Sequence, residues 1–334
     1  MYQNTRRVSP LNWPSLVEET LRRRKTEKIT QRRHAALANV SVPTMAAFER
    51  KETTLSLTKV FDILRVVGLL DEQTEGNRQD IFVNESLISW SALVDSLPEN
   101  VPARFPYGCF RFDYCFEGNL KNLTLDEFKF VLDKITISYP WTFPFWITTS
   151  PEIFPQQHHN ILECWLGKKQ SGSPVKPADD SGYWRVSPEG RLFLLKGYQE
   201  DCQKTLQAGS IFDAILPIWH MGEALLHGER LAPFLQQDKP LSINFRAVYS
   251  GLNGRVLHAW ANPLNNTLIE QRAAQSDEAI LTAIIPVKNL SLNLTEHLYP
   301  LVSSLYERFG VKDLSKNFLE TEVTRLLEKN LLRI

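Results

Sequence analysis

The sequence predicts a multidomain chain: an all-α N-terminal domain over about residues 1–72, a linker at 73–80, and an α+β domain over 81–334. Three observations predict it. A length of 334 residues allows about two to three domains. Charge divides along the chain: residues 1–70 carry 13 Lys/Arg against 6 Asp/Glu, a net +7, and the rest carry 25 against 32, a net −7. The apolar pattern also changes, from short stretches at helical spacing to mixed helical and alternating segments after Ile81. With 38 basic and 38 acidic side chains, 43% hydrophobic residues and a mean hydropathy of −0.25, the composition is that of a soluble globular protein. No apolar run reaches the ~18 residues of a membrane helix. Arg6 and Arg7 are followed by Asn12, Pro14 and Glu18 in place of an apolar stretch, so no secretory signal is expected and the expected location is cytoplasmic. Cys109, Cys115, Cys164 and Cys202 show no metal-site spacing and read as reduced thiols.

Each N-terminal element carries its own start or stop. Trp13 to Lys25 places Leu16, Val17 and Leu21 at helical spacing and ends in the run Arg22, Arg23, Arg24, Lys25. Thr30 caps a helix over Gln31 to Ala38, and Asn39, a residue that tolerates the left-handed region, breaks it. Ser41 caps the next helix, through about Lys51, with Pro43 in its first turn. Ser56 starts a helix with Val60, Ile63, Leu64 and Val67 on one face, stopped by Gly68. Asp71 to Asp80 is polar and aperiodic, which gives the linker.

In the larger domain, Cys109 to Phe116 alternates as a strand does, and Thr124 with Glu127 forms a capping box ahead of the stripe Phe128, Val131, Leu132, Ile135. Tyr139 to Ile147 reads as an aromatic loop or edge strand, and 167–181 as a surface loop. Arg191 to Leu195 and Ile211 to Ile218 read as strands, Trp219 to Leu235 as a helix, and Leu241 to Trp260 as a hairpin turning at Gly251–Gly254. Two helices close the chain, one capped by Asn293 with Glu296 and one over Leu314 to Leu331.

Thr30-Gln31, Ala35, Val40-Ser41, Thr44 and Phe48-Glu49-Arg50, followed by Leu55, Leu57, Val60 and Leu64, resemble the helix-turn-helix of lambda-repressor/Cro-like (XRE) regulators. The resemblance covers about 55 of the 334 residues. His34 stands where that family has an apolar residue, Asn39 where it often has the turn glycine, and Lys51 where glycine follows Glu-Arg. The resemblance implies a reading helix in the major groove and a partner helix across the backbone. Val42, Thr44 and Ala47 would then face base edges, after the cap at Ser41, and their size suits thymine methyl groups. Gln31, Arg32, Arg33, Arg50 and Lys51 are placed to touch phosphates.

Beyond residue 160, the chain carries the pieces Glu163-Cys164-Trp165-Leu166-Gly167, Tyr183-Trp184-Arg185, Ser187-Pro188-Glu189-Gly190-Arg191 and Gly197-Tyr198-Gln199-Glu200-Asp201, then Gly222-Glu223 with Leu225-Leu226-His227, Tyr249 to Arg255 and Trp260-Ala261-Asn262-Pro263. Together they resemble the C-terminal half of bacterial DNA-binding and Schlafen-related (AlbA-like) regulators, which implies an accessory sensing, docking or assembly domain. No phosphate-binding loop, dinucleotide fingerprint or nucleophile elbow is present. His220, Glu223 and His227 share one helix face and are the best-spaced metal candidates, with a buried polar stripe as the simpler reading. Glu127 and Lys129 with Asp113 suit an amphipathic helix better than a nuclease centre. The aromatic set Tyr139, Trp141, Phe143, Phe145, Trp146, Trp165 and Trp184 reads as core ahead of a ligand pocket. The expected function is sequence-specific transcriptional regulation in a bacterium, as a repressor. The expected partners are a double-stranded operator and a second copy or higher symmetric assembly. No cofactor and no enzymatic activity are expected, and an effector is left open. The alternative is a phage-defence or toxin–antitoxin component that docks a protein through the helices.

Overall fold

In the computed structural model, Asn12 opens the described chain by capping the first helix, its Oδ1 accepting the Ser15 amide at 3.1 Å. The described residues are 12–38, 40–69, 75–135, 145, 153–167, 181–262 and 272–331. Asn39, most of Tyr139 to Ile147 and most of 167–181 lie outside them. The chain divides into two compact units, Met1–Asn77 and Arg78–Ile334. The first holds α1 (Trp13–Thr26), α2 (Gln31–Leu37), α3 (Val42–Glu49) and α4 (Leu57–Val66). Val17, Ala35, Ala38, Met45, Phe48, Val60, Ile63 and Leu64 form its core, with Trp13 edge-on to Phe48 at 5.4 Å. Full burial of a side chain such as Phe48 stabilises by roughly 1.5–3 kcal/mol. Gly68 takes φ +63° past the end of α4, as expected of the stop.

The division between the units falls inside the expected linker at 73–80, but its described part is not irregular. Residues 75–80 are helical, the first turns of α5 (Glu75–Val94). Gln79, Phe82, Val83 and Ser86 are buried at helical spacing, with Leu87 and Trp90 half-buried beside them. Burial against a sheet therefore orders a segment whose polar composition suggested none.

The second unit is α+β. Its sheet has seven strands, all antiparallel, in the order β2 (Gln156–His158), β3 (Ile161–Trp165), β4 (Tyr183–Ser187), β5 (Arg191–Gly197), β1 (Cys109–Glu117), β7 (Ser242–Ser250), β9 (Glu278–Pro286). On one face, Phe110, Phe112, Tyr114 and Phe116 of β1 join the main core with α6 (Leu125–Ile135), α7 (Leu216–Leu235), α8 (Leu294–Glu307) and α9 (Lys316–Leu331). On the other, Phe82 and Val83 of α5 pack with Tyr183, Phe193 and Leu195. The capping box ahead of α6 forms as expected, Glu127 Oε2 accepting the Thr124 amide at 2.8 Å. α7 packs so closely on α9 that a Cβ at Gly222 would stand 2.4 Å from a Leu326 methyl.

Three expectations here differ from the structure. The strand expected over Ile211 to Ile218 ends at Asp213, as β6 (Ile211–Asp213). Asp213 Oδ1 accepts the amides of Ile215 and Leu216 at 2.7 Å each and starts α7 at Leu216. The hairpin over Leu241 to Trp260 does not form. After Gly251–Gly254 the chain enters β8 (Val256–His258), which pairs in parallel with β6. Buried Arg255 turns it: Nη2 meets the Asp201 carboxylate at 2.6 Å and the Tyr107 carbonyl at 2.7 Å, and Nη1 meets the Ile211 carbonyl at 2.7 Å. Asn293 stands at the start of α8 but makes no side-chain capping bond, and its Nδ2 donates back to the Asn289 carbonyl at 2.9 Å.

Candidate nucleic-acid interface

The α2–α3 pair is built from its caps inward. Thr30 Oγ1 accepts the Arg33 amide at 3.2 Å, and Ser41 Oγ accepts the Thr44 amide at 3.2 Å and bonds Thr44 Oγ1 at 2.8 Å. The Val40 amide returns to the Ala35 carbonyl at 2.9 Å, so the connection between the helices is tight. His34 is fully buried, and its Nε2–H donates to the Ile63 carbonyl at 2.9 Å, joining α2 to the end of α4. Burial lowers the pKa of that ring and keeps it neutral. The departure from an apolar residue at position 34 is thus accommodated by one interhelical hydrogen bond. Lys51 takes φ +64°, the conformation for which the resemblance expects glycine.

The expected contact residues differ in exposure and in what they bond. Arg32 and Arg33 are exposed, with no ion-pair partner among the described residues. Ser41, Val42 and Arg50 are exposed, as is Pro43, while Thr44 and Ala46 are half-exposed. Three residues are committed elsewhere in part. Gln31 Nε2 donates to Glu49 Oε2 at 3.0 Å, Arg50 pairs with Glu52 at 2.8 Å, and Lys51 Nζ with Glu18 at 2.5 Å. Ala47 is a correction: it is buried, because a single methyl group next to fully buried Phe48 does not clear the surface. Ala46 is the residue of that turn which reaches solvent.

The sequence reading missed the strut that holds this arrangement. Glu49 accepts from Arg24 Nη1 as well as from Gln31, so one carboxylate ties α1, α2 and α3. Arg24 is the least exposed arginine of the four-residue basic run. Its position one helical turn past Thr20, which is also buried, was the available signal. Arg22 and Arg23 both bond Glu19 and hold its carboxyl down at about 2.

The metal candidates lie elsewhere, within the second unit. His220, Glu223 and His227 are all buried on α7. The His220 ring stacks on Phe110 at 4.8 Å, and His227 Nδ1 bonds the Tyr114 hydroxyl at 3.0 Å. Burial lowers both rings' affinity for protons, that of His227 to about 3. Among the described residues no group of three or more His, Cys, Asp or Glu side chains is arranged to hold a metal ion. Asp113 is held between Arg111 at 3.0 Å and Arg246 at 2.8 Å, and Glu127 is a helix cap, so neither forms a nuclease centre with the other. Of the aromatic set, Phe145 and Trp184 belong to the main core and Trp165 packs on the smaller one; the other four lie outside the described residues. No helix among the described residues is long and apolar enough to cross a membrane. No protein-family model matches the chain, and neither does any curated protein or solved structure.

Proposed function

We propose that this chain is a sequence-specific DNA-binding transcriptional regulator, acting as a repressor, whose N-terminal helices form a helix-turn-helix of the XRE kind. The second unit serves assembly and receives any ligand or partner signal. The observation that carries the reading is the division of α3: Met45, Ala47 and Phe48 are buried, while Val42 and Pro43 are exposed and Thr44 and Ala46 half-exposed after a capped start, with exposed Arg50 following its end. A helix anchored in this way presents a short, small-residue surface to a groove, and the exposed Arg32 and Arg33 at the start of α2 supply phosphate contacts. The net +7 of residues 1–70 supports the same polyanionic partner.

The test is selection of genomic fragments by the purified full chain, followed by footprinting. A protected site is expected, with affinity that falls steeply with salt and weakens on Arg32→Ala with Arg33→Ala. Fragments enriched no better than control, or enrichment indifferent to those substitutions, would reject the proposal. A second reading, protein docking within a phage-defence or toxin–antitoxin system, draws on the exposed apolar Leu37, Leu57 and Phe61 of the same unit. Docking of that kind predicts weak salt dependence and no footprint.

A further inference from the structure

β9 forms one edge of the seven-stranded sheet, and among the described residues no strand pairs with its outer side. The other edge, β2, is three residues long and polar. β9 runs nine residues, Glu278 to Pro286, with no lysine or bulge to break it. Long flat edges of this type are normally blunted, because they template pairing with another chain.

The backbone shows which groups are open. The Val287 amide bonds the Leu241 carbonyl at 3.0 Å on the β7 side. Since successive N–H and C=O groups alternate sides, those of Glu278, Ile280, Thr282 and Ile284 point outward. Pro286, at the next outward position, has no N–H to leave unpaired. The side chains of the same residues lie on the face away from the main core, where Ile280 is 54% and Ile284 67% exposed.

We propose that β9 is the seam of a homodimer, pairing antiparallel with β9 of a second copy about a two-fold axis at Thr282. That register keeps solvent-face residues on one face, which a one-residue slip would not. It sets Ile280 opposite Ile284 of the second copy, twice by symmetry, and Thr282 opposite itself, both favourable cross-strand pairs. It sets exposed Glu278 opposite exposed Pro286 of the second copy at both ends of the seam. Each outward N–H of Ile280, Thr282 and Ile284 finds a carbonyl. A foreign strand would have to reproduce this match, and the chain itself already carries it. The inference rests on the reading of a paired regulator, so its test is made without DNA, where failure to bind an operator has no effect on the outcome.

The test is the mass of the full chain by light scattering at micromolar concentration. Wild type is expected at twice 38.4 kDa. Thr282→Pro removes an N–H that β7 does not use and is expected to halve the mass with an unchanged circular dichroism spectrum. Ile280→Lys with Ile284→Lys is expected to do the same by like-charge repulsion, and decides the matter if the proline variant misfolds. Thr282→Cys is expected to give an oxidised dimer, because directly opposed hydrogen-bonded residues stand about 5.5 Å apart at Cα, within disulfide reach. Leu292→Cys, an exposed position outside the strand, is the negative control. A monomeric wild type, a monomer carrying a foreign peptide on this edge, or a dimer that survives both variants would overturn the proposal.

Discussion

Lys51 holds φ +64°, where the Cβ of an L-residue crowds its own backbone at a cost of about 1–2 kcal/mol. Glycine carries no such penalty, and the exposed Lys51–Glu18 pair returns at most about 1 kcal/mol. Lys51→Gly is therefore expected to stabilise the first unit by roughly 0.5–1 kcal/mol. Urea-dependent hydrogen exchange of the α1–α4 amides in the full chain measures it, and unchanged or reduced protection would contradict the account. A second residue-scale expectation concerns Glu200, a buried side chain whose carboxyl is pushed up to about 8, first by burial and then by the Asp213 charge. Between pH ~4.5 and ~8 the folded chain holds a proton there that the unfolded chain releases, so stability falls as pH rises, by about 1.4 kcal/mol per pH unit. Buried His220 and His227 act in the opposite sense: the unfolded chain gains their protons below pH ~6.5, so their contribution is lost as pH falls from there. Above pH ~6.5 the Glu200 slope remains. Glu200→Gln keeps an Oε1 to accept the Asp213 amide, which it now accepts at 2.9 Å, and is expected to flatten stability between pH ~6.5 and ~8. Denaturation midpoints that decline equally in both proteins would refute it.

At the scale of elements, what could be read in advance depended on where the ordering force resides. α1 to α4 carry it locally, in side-chain caps on the first three, first-turn prolines in α1 and α3 and an apolar stripe on α4, and their bounds agree with expectation to within two residues. α5 does not: Gln79 and Asp80 are polar, and their helix exists because Phe82, Val83 and Trp90 meet a sheet brought from elsewhere in the chain. β9 and β4 escaped notice because neither alternates in polarity; β4 is buried throughout and β9 exposes isoleucines. The parallel pairing of β8 with β6 hangs on Arg255 reaching Asp201, an ion pair no local pattern announces. At the α2–α3 site the caps were legible, whereas the direction of Ala47 and the Glu49 strut required the packed helices. Caps also differ in a measurable way. Ser41 makes its capping bond and Ser56 makes none, although both precede a helix in extended conformation. Ser41→Ala is expected to cost about 1 kcal/mol and Ser56→Ala less than about 0.5, by urea unfolding. Equal costs would mean that the two starts are held by something other than their hydroxyls.

For the whole molecule, the opposite charge of its two parts and the open edge of β9 lead to one joint expectation. The acidic remainder, at −7, repels a polyanion, so under the proposed function affinity for DNA comes from the basic segment alone. One such segment releases few counterions; two, joined through the second unit, release twice as many in one binding event. The slope of log affinity against log salt, about −0.9 per phosphate neutralised, therefore reports how many heads act together. Thr282→Pro changes no charge and lies outside the first unit, so it leaves the proposed contact residues of each head intact. The variant is expected to bind a footprinted operator with about half the wild-type slope, and to lose its response to the spacing between half-sites, which a two-fold dimer sets near one helical turn. Arg32→Ala with Arg33→Ala should reduce the slope in both backgrounds, by about one for each phosphate that a head no longer neutralises. An undiminished slope in the proline variant would show that single heads already account for binding, and that the dimer seam, even if formed, takes no part in reading DNA.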